Sequence, residues 1–93
     1  MSARVMIVDD EQAIRDSLQG LFEDEGYRVA CAASGEEAVA RFRKESADCI
    51  LLDIWMPGID GLETMNRIRQ LDTEVPIIIM SGHATIDTAV RAT

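Results

Sequence analysis

Short runs of apolar residues recur along this chain, and they most constrain how it can fold. These runs lie at residues 4–8, 27–32, 48–53 and 77–80. Each run is too short to form a typical helix. Between the runs, apolar residues return at the spacing of an amphipathic helix, as at Ile14, Leu18 and Leu21. Continuous apolar strands that alternate with helices predict an α/β fold, with a parallel sheet covered on both faces.

Helices are predicted to follow each of these strands. The first covers residues 11–25 and stops at Gly26, and the second begins at Ser34, an N-cap with Glu37 at the capping-box position. The apolar positions of the third and fourth helices are Leu62, Met65, Ile68 and Leu71, and then Ile86, Ala89 and Val90. A single domain is therefore expected over residues 1–93.

Polar side chains follow several of the predicted strands, at the point where each strand ends. Asp9 and Asp10 follow the first strand. Asp53 ends the third strand and Ser81 follows the fourth. In a doubly wound sheet, ligands bind at the carboxyl ends of the strands, where the strand order reverses. The expected order is 2-1-3-4, so the strands that end at Asp10 and Asp53 are predicted to be neighbours at that point.

Three carboxylates at the carboxyl ends of neighbouring strands predict metal-assisted chemistry. They would repel one another unless one is protonated or a cation lies among them. Oxygen ligands favour Mg²⁺, and no His/Cys set has the spacing of a zinc site. Mg²⁺ beside a strand-end carboxylate suits phosphoryl transfer, with Asp53 as a nucleophile that becomes an acyl phosphate. The structural alternative is that Asp9 or Asp10 only caps the first helix.

Residues that flank this predicted pocket also have two interpretations. The Ser81 hydroxyl either caps a turn or donates to a phosphoryl oxygen, and Gly82 allows the backbone to approach closely. His83 is interpreted as an exposed loop imidazole rather than a catalytic group. Trp55 is expected at the rim of the pocket, where its backbone carbonyl would reach a metal ion.

The overall composition argues against several classes of protein. A net charge of −8 and scattered arginines argue against direct nucleic-acid binding. No apolar stretch approaches the ~20 residues needed to span a membrane. Cys31 and Cys49 are expected on strands roughly 9–10 Å apart, beyond the reach of a disulfide. With no signal peptide and no Cys-x-x-Cys, these features predict a reducing cytoplasm.

Segments at residues 8–11 (VDDE), 51–63 (LLDIWMPGIDGLE) and 79–84 (IMSGHA) resemble the receiver domain of two-component response regulators. The resemblance covers the whole chain and implies a flavodoxin-like fold. It implies that Asp53 is the phosphoacceptor, that Asp10 binds Mg²⁺ directly and that Asp9 acts through water. The backbone carbonyl of Trp55 is implied to be the third protein ligand. The other implied roles are a switch and phosphoryl contact for Ser81 and Gly82, and modulation of phosphoryl lifetime for Trp55 and His83.

Within this family, the second and third segments look most like receivers of the nitrogen-regulation type. Such receivers are usually fused to an AAA+ ATPase that acts at sigma-54 promoters and to a DNA-binding domain. The resemblance implies a sensor histidine kinase and a C-terminal output domain as partners. It implies a signalling protein rather than an enzyme, with at most self-catalysed phosphoryl transfer and dephosphorylation. Phosphorylation is expected to draw Ser81 inward and to shift the surface of the fourth helix.

The sequence departs from a complete receiver at its end. The chain stops at Thr93, before the fifth strand with its Lys-Pro and the fifth helix that the resemblance implies. Lys44, the only lysine, lies in the predicted second helix, so no pocket lysine is expected in this chain.

Two consequences of this departure are expected. Residues 77–80 would form an apolar edge strand, which predicts aggregation, strand exchange or dimerisation. A homodimer is expected, and light scattering that shows a well-folded monomer would contradict this. A metal-binding interaction module that is not phosphorylated remains an alternative to the phosphoryl switch. A haloacid-dehalogenase-type phosphatase is disfavoured, because such an enzyme needs an acid where Trp55 stands.

Overall fold

Four parallel strands and three helices make up the part of the chain that the structure describes. This computed structural model describes residues 3–56 and 58–80. The elements are β1 (Arg4–Val8), α1 (Gln12–Asp24), β2 (Arg28–Ala32), α2 (Gly35–Lys44), β3 (Cys49–Asp53), α3 (Gly61–Leu71) and β4 (Ile77–Met80). The strands pair in the order β2-β1-β3-β4, and every pair is parallel. The predicted α/β fold and strand order are therefore confirmed.

The predicted boundaries of these elements are correct to within one residue where the structure describes them. The turn after α1 contains Gly26, whose φ of 91° lies in the left-handed region that glycine adopts without strain. The predicted fourth helix, with Ile86, Ala89 and Val90, lies outside the described residues.

Side-chain caps define where two of the helices begin. The Ser34 hydroxyl accepts a hydrogen bond from the Glu37 backbone N–H at 3.1 Å, as the capping box predicts. The Glu37 carboxylate in turn accepts from the backbone N–H of Ala33, one residue before the N-cap. Asp60 caps α3 by accepting from the Glu63 N–H at 2.9 Å. Of the described helices, only α1 begins without a side-chain cap.

Residues on each strand alternate between two apolar clusters, one on each face of the sheet. Met6 and Val8 belong to the larger cluster, which packs beneath α2 and α3. Val5 and Ile7 belong to the smaller cluster, which packs against Leu18 of α1. The sheet is thus covered on both faces, which is the arrangement predicted from the continuous apolar strands.

The predicted apolar face of α3 is wrong in part. Leu62 and Leu71 are exposed, whereas Gly61, Thr64 and Ile68 are buried. At the start of α3 the reason is a close approach between backbones, because an added Cβ at Gly61 would meet Ile54 Cα. This packing brings α3 close to the end of β3, which carries Asp53.

Two further features concern the cysteines and the length of the helices. Cys31 and Cys49 are free thiols on strands separated by β1, as predicted. Within residues 3–56 and 58–80, no helix has both the length and the apolar character needed to cross a membrane.

Candidate metal centre

The carboxylates of Asp9, Asp10 and Asp53 meet at the carboxyl ends of β1 and β3. One oxygen from each residue lies within 4.8 Å of the others. Val8 of β1 pairs with Leu52 of β3. Parallel pairing therefore places the next residues, Asp9 and Asp53, side by side. The strand order thus brings together the three acidic residues that the sequence placed at one edge.

Asp9 and Asp53 lie in turns of the same kind. Oδ1 of Asp9 accepts from the Glu11 backbone N–H at 2.9 Å, and Oδ1 of Asp53 accepts from the Trp55 N–H at 2.9 Å. Both side chains are only 1% exposed, whereas Asp10 is exposed. These two hydrogen bonds hold both buried carboxylates at the strand ends, where the exposed Asp10 joins them.

The second oxygen of Asp9 is the clearest sign of a ligand. Oδ2 of Asp9 is buried and has no hydrogen-bond partner in the described part of the chain. Leaving a buried acceptor unsatisfied costs about 1–3 kcal/mol. The capping alternative accounts for Oδ1, which accepts from Glu11, but not for Oδ2. A hard cation with oxygen ligands fits this donor set, because the ion or a water molecule bound to it would supply the partner that this oxygen lacks.

The negative charge of Asp9 is also unfavourable in this environment. Burial raises the pKa of Asp9 above its ordinary value of 3.8, although the hydrogen bond from Glu11 lowers it. The negative charges of Asp53, Asp10 and Glu11 raise this pKa further. Either a proton or a cation would relieve the repulsion among these carboxylates.

An Asp9→Asn variant tests whether this charge is unfavourable in the metal-free chain. We expect the free energy of unfolding at pH 7 to rise by about 1–2 kcal/mol, because the substitution removes a buried charge. The amide oxygen would still accept from the Glu11 N–H. Because folding raises the pKa of Asp9, the stability that its proton contributes is present below the ordinary value of 3.8 and lost as the pH rises through the raised pKa.

Urea denaturation across a pH series measures this effect. The advantage of the variant over the wild type should vanish below the ordinary value of 3.8 and grow as the pH rises through the raised pKa. Asp10→Asn is the matched control, since it removes the same charge from an exposed position and should change stability less. Equal effects of the two substitutions would contradict the importance of burial.

The other predicted site residues lie partly outside the described chain. Trp55 is 53% exposed, at the rim beside Asp53, where the sequence places it. Its role as a ligand through the backbone carbonyl stays a prediction. Ser81, Gly82 and His83 lie outside the described residues, and their roles stay predictions too.

Lys44 lies near the amino-terminal ends of the strands, whereas these carboxylates lie at the carboxyl ends. It is the last residue of α2, and the next residue, Glu45, forms an ion pair with Arg4 at the start of β1. Asp53 lies at the end of β3. The absence of a pocket lysine stays a prediction.

Two residues near the site were missed by sequence reasoning. A guanidinium N–H of Arg15 donates to the backbone carbonyl of Asp9 at 2.7 Å. At Gly61, an added Cβ would meet Ile54 Cα and would lie 2.8 Å from the Asp53 carbonyl oxygen. Gly61 follows Asp60 in an Asp-Gly pair, a pattern that is typical of loops. Its position directly before a helical pattern was the available sign of a capped, closely packed helix start.

The family of the chain follows from comparison with known proteins. The model of the response regulator receiver domain matches residues 5–93. This chain belongs to the response regulator receiver family. The family predicted from the three sequence segments is therefore confirmed. Receivers act in signalling as phosphoacceptors rather than as enzymes in the ordinary sense.

Relatives of this receiver include regulators of the nitrogen-regulation type, as the sequence predicted. The nitrogen assimilation regulatory protein NtrX of Azorhizobium caulinodans is 40% identical over 94 aligned positions, covering 99% of this chain and 21% of NtrX. Sporulation initiation phosphotransferase F of Bacillus subtilis is 38% identical over 87 positions, covering 94% of this chain and 70% of that protein. The receiver therefore spans about a fifth of NtrX and over two thirds of the second relative.

A solved receiver shows the same fold. The response regulator TrrA of Thermotoga maritima, in complex with Mg²⁺-BeF, has a TM-score of 0.83 and 39% identity, covering 90% of this chain and 72% of TrrA. A second structure holds TrrA in complex with the histidine kinase ThkA, with a TM-score of 0.83 and 38% identity, covering 92% of this chain and 73% of TrrA.

Proposed function

We propose that this receiver accepts a phosphoryl group on Asp53 from a sensor histidine kinase, with Mg²⁺ as cofactor. The observation that carries the proposal is the acidic cluster with the buried, unpartnered Oδ2 of Asp9. The complexes of TrrA with Mg²⁺-BeF and with a histidine kinase support it by likeness.

The residues proposed to hold the metal ion share an oxygen donor. They are Asp9, Asp10, Asp53 and Trp55, the last through its backbone carbonyl. Asp10 is proposed to bind directly and Asp9 through water. When bound, Mg²⁺ would offset the negative charge on the transferring phosphoryl group.

Asp53 is proposed to act as the nucleophile. One of its carboxylate oxygens forms a bond to phosphorus while the bond between phosphorus and the histidine nitrogen of the kinase breaks. The product is an acyl phosphate on Asp53. The leaving imidazole takes the electron pair of the broken bond and, because its other ring nitrogen carries a proton, departs as neutral imidazole. The hydrogen bond from the Trp55 N–H to Oδ1, at 2.9 Å, holds the carboxylate in one orientation. Orientation of a buried nucleophile is a direct contribution to rate.

The proposed response to phosphorylation is a change of surface. A phosphoryl group adds a charge of about −2. Ser81 and Gly82 are proposed to follow its oxygens, and Trp55 and His83 to modulate its lifetime. Phosphorylation would shift the population between existing conformations that differ in the fourth-helix surface. This shift would control a C-terminal output domain, proposed to be a transcription activator with an AAA+ ATPase and a DNA-binding domain. Homodimerisation stays a prediction that light scattering tests.

Fluorescence of Trp55, the only tryptophan, offers a direct test. We expect Mg²⁺ to change the emission of the chain, and beryllofluoride to change it again only when Mg²⁺ is present. Acetyl phosphate with Mg²⁺ should add one phosphoryl group to the intact mass. The control is the same titration in the presence of EDTA.

The outcomes separate the candidate functions. A response to Mg²⁺ without any response to beryllofluoride or acetyl phosphate would favour the alternative of a metal-binding interaction module. No response to Mg²⁺ would overturn both functions.

A further inference from the structure

Arg15 connects helix α1 to the strand end that carries two of the acidic residues. Its Nη1 donates to the backbone carbonyl of Asp9 at 2.7 Å, across six positions of the chain. The Arg15 side chain is partly buried. The bond therefore closes the turn between β1 and α1, which contains Asp9 and Asp10.

This turn lacks the support that the other helix starts have. Ser34 and Asp60 cap α2 and α3, whereas Glu11 provides no side-chain cap for α1. Two hydrogen bonds other than that from Arg15 hold this turn. The Glu11 N–H donates to the Asp9 carboxylate, and the Asp9 N–H donates to the Ala32 carbonyl. The first of these bonds uses the carboxylate that would also face a cation. The bond from Arg15 uses only the carbonyl, so it would persist when the carboxylate turns towards a metal ion.

The charge of Arg15 has an effect of the opposite sign. A guanidinium near a cation site repels the cation, so charge alone would make Arg15 unfavourable for metal binding. The contact itself joins the guanidinium to a neutral carbonyl and leaves the carboxylates negative. A positioning role and a charge role therefore predict opposite changes in metal affinity when Arg15 is replaced.

We propose that Arg15 is a positioning residue for the cation site, which holds the turn so that the carboxylates of Asp9 and Asp10 face Asp53. The inference rests on the proposed Mg²⁺ site. Groups that orient metal ligands from outside the coordination shell typically change affinity by about 10–100-fold when they are removed. Arg15 differs from the predicted ligands because it acts through the backbone that carries them.

An Arg15→Met variant tests the proposal, with Mg²⁺ alone as the probe and Trp55 fluorescence as the readout. We expect the Mg²⁺ affinity to fall about tenfold or more. Ca²⁺ affinity should fall less, because Ca²⁺ accepts irregular coordination whereas Mg²⁺ requires near-octahedral geometry. Arg15→Lys keeps the charge and a donor and should recover most of the affinity.

Controls separate positioning from a general loss of stability. Arg67→Met removes an exposed arginine on α3, which bonds Glu63 at 3.2 Å, and should leave Mg²⁺ affinity unchanged. Urea denaturation without metal reports whether Arg15→Met changes stability alone. Should Arg15→Met fail to fold, Arg15→Gln keeps an N–H donor without the charge and should bind Mg²⁺ no more tightly than Arg15→Lys; tighter binding by Arg15→Gln would indicate the charge role instead.

The two proposals fail in different ways. Unchanged or tighter Mg²⁺ binding by Arg15→Met, or equal losses for Mg²⁺ and Ca²⁺, would overturn the positioning role while the Mg²⁺ site stands. A wild-type chain that does not respond to Mg²⁺ would overturn the proposed function and this inference with it.

Discussion

An Asp53→Asn variant should take up no phosphoryl group from acetyl phosphate in the presence of Mg²⁺. The amide is close in shape to the carboxylate, and its oxygen can still accept from the Trp55 N–H, so the turn after β3 should persist. The amide lacks the negative oxygen that attacks phosphorus, and the acyl phosphate cannot form. Intact-mass spectrometry should show the unmodified chain, and beryllofluoride should leave Trp55 fluorescence unchanged.

Asp60→Asn is the matched control for this result. It makes the same chemical change at the N-cap of α3, where Asn caps about as well as Asp. This variant should be phosphorylated like the wild type. Modification of Asp53→Asn at the wild-type rate would contradict the proposal and would place the acceptor elsewhere, with Asp9 and Asp10 as the first candidates.

A Gly61→Ala variant should be strongly destabilised. The added methyl group would meet Ile54 Cα and lie 2.8 Å from the Asp53 carbonyl oxygen. Both contacts are with backbone, so relief requires a shift of α3 or of the end of β3. We expect a loss of about 3 kcal/mol or more in the free energy of unfolding, at the upper end of the cost of overpacking. Mg²⁺ affinity should fall as well, because the shifted segment carries Asp53.

Gly20→Ala provides a control with the opposite expected sign. Gly20 lies in the middle of α1, and an added Cβ there would meet nothing within 4 Å. Alanine in an exposed helix interior is favoured over glycine by about 0.5–1 kcal/mol. Urea denaturation should therefore show one glycine replacement that stabilises and one that destabilises. A stable Gly61→Ala chain would show that α3 does not pack as closely on β3 as the structure indicates.

The strands and their order could be predicted from sequence because both rest on simple physical patterns. A strand buried on both faces is a continuous apolar run, as at Cys49–Asp53, and helices between such runs require a parallel sheet. The face of α3 could not be predicted in the same way. Hydrophobicity selects Leu62, whereas the close contact is made by Gly61, whose value lies in having no side chain.

The residues of the candidate site also differ in whether they could be predicted from the sequence. Asp9 and Asp53 could be predicted as neighbours, because the strand order places their strand ends together. Arg15 could not, because its partner is a backbone carbonyl, and every residue carries one. Sequence patterns reveal functional groups that depend on side-chain chemistry, but not groups that depend on where the main chain passes.

With the proposed Mg²⁺ site, the unpartnered oxygen of Asp9 would link the stability of this receiver to the concentration of free metal ion. A ligand that binds only the folded state adds free energy by mass action, about 2.7 kcal/mol when it exceeds its dissociation constant a hundredfold. Mg²⁺ would therefore stabilise the folded chain reversibly, in addition to its proposed part in phosphoryl transfer. Melting temperatures of variants in this pocket should therefore be compared only at one fixed concentration of free Mg²⁺.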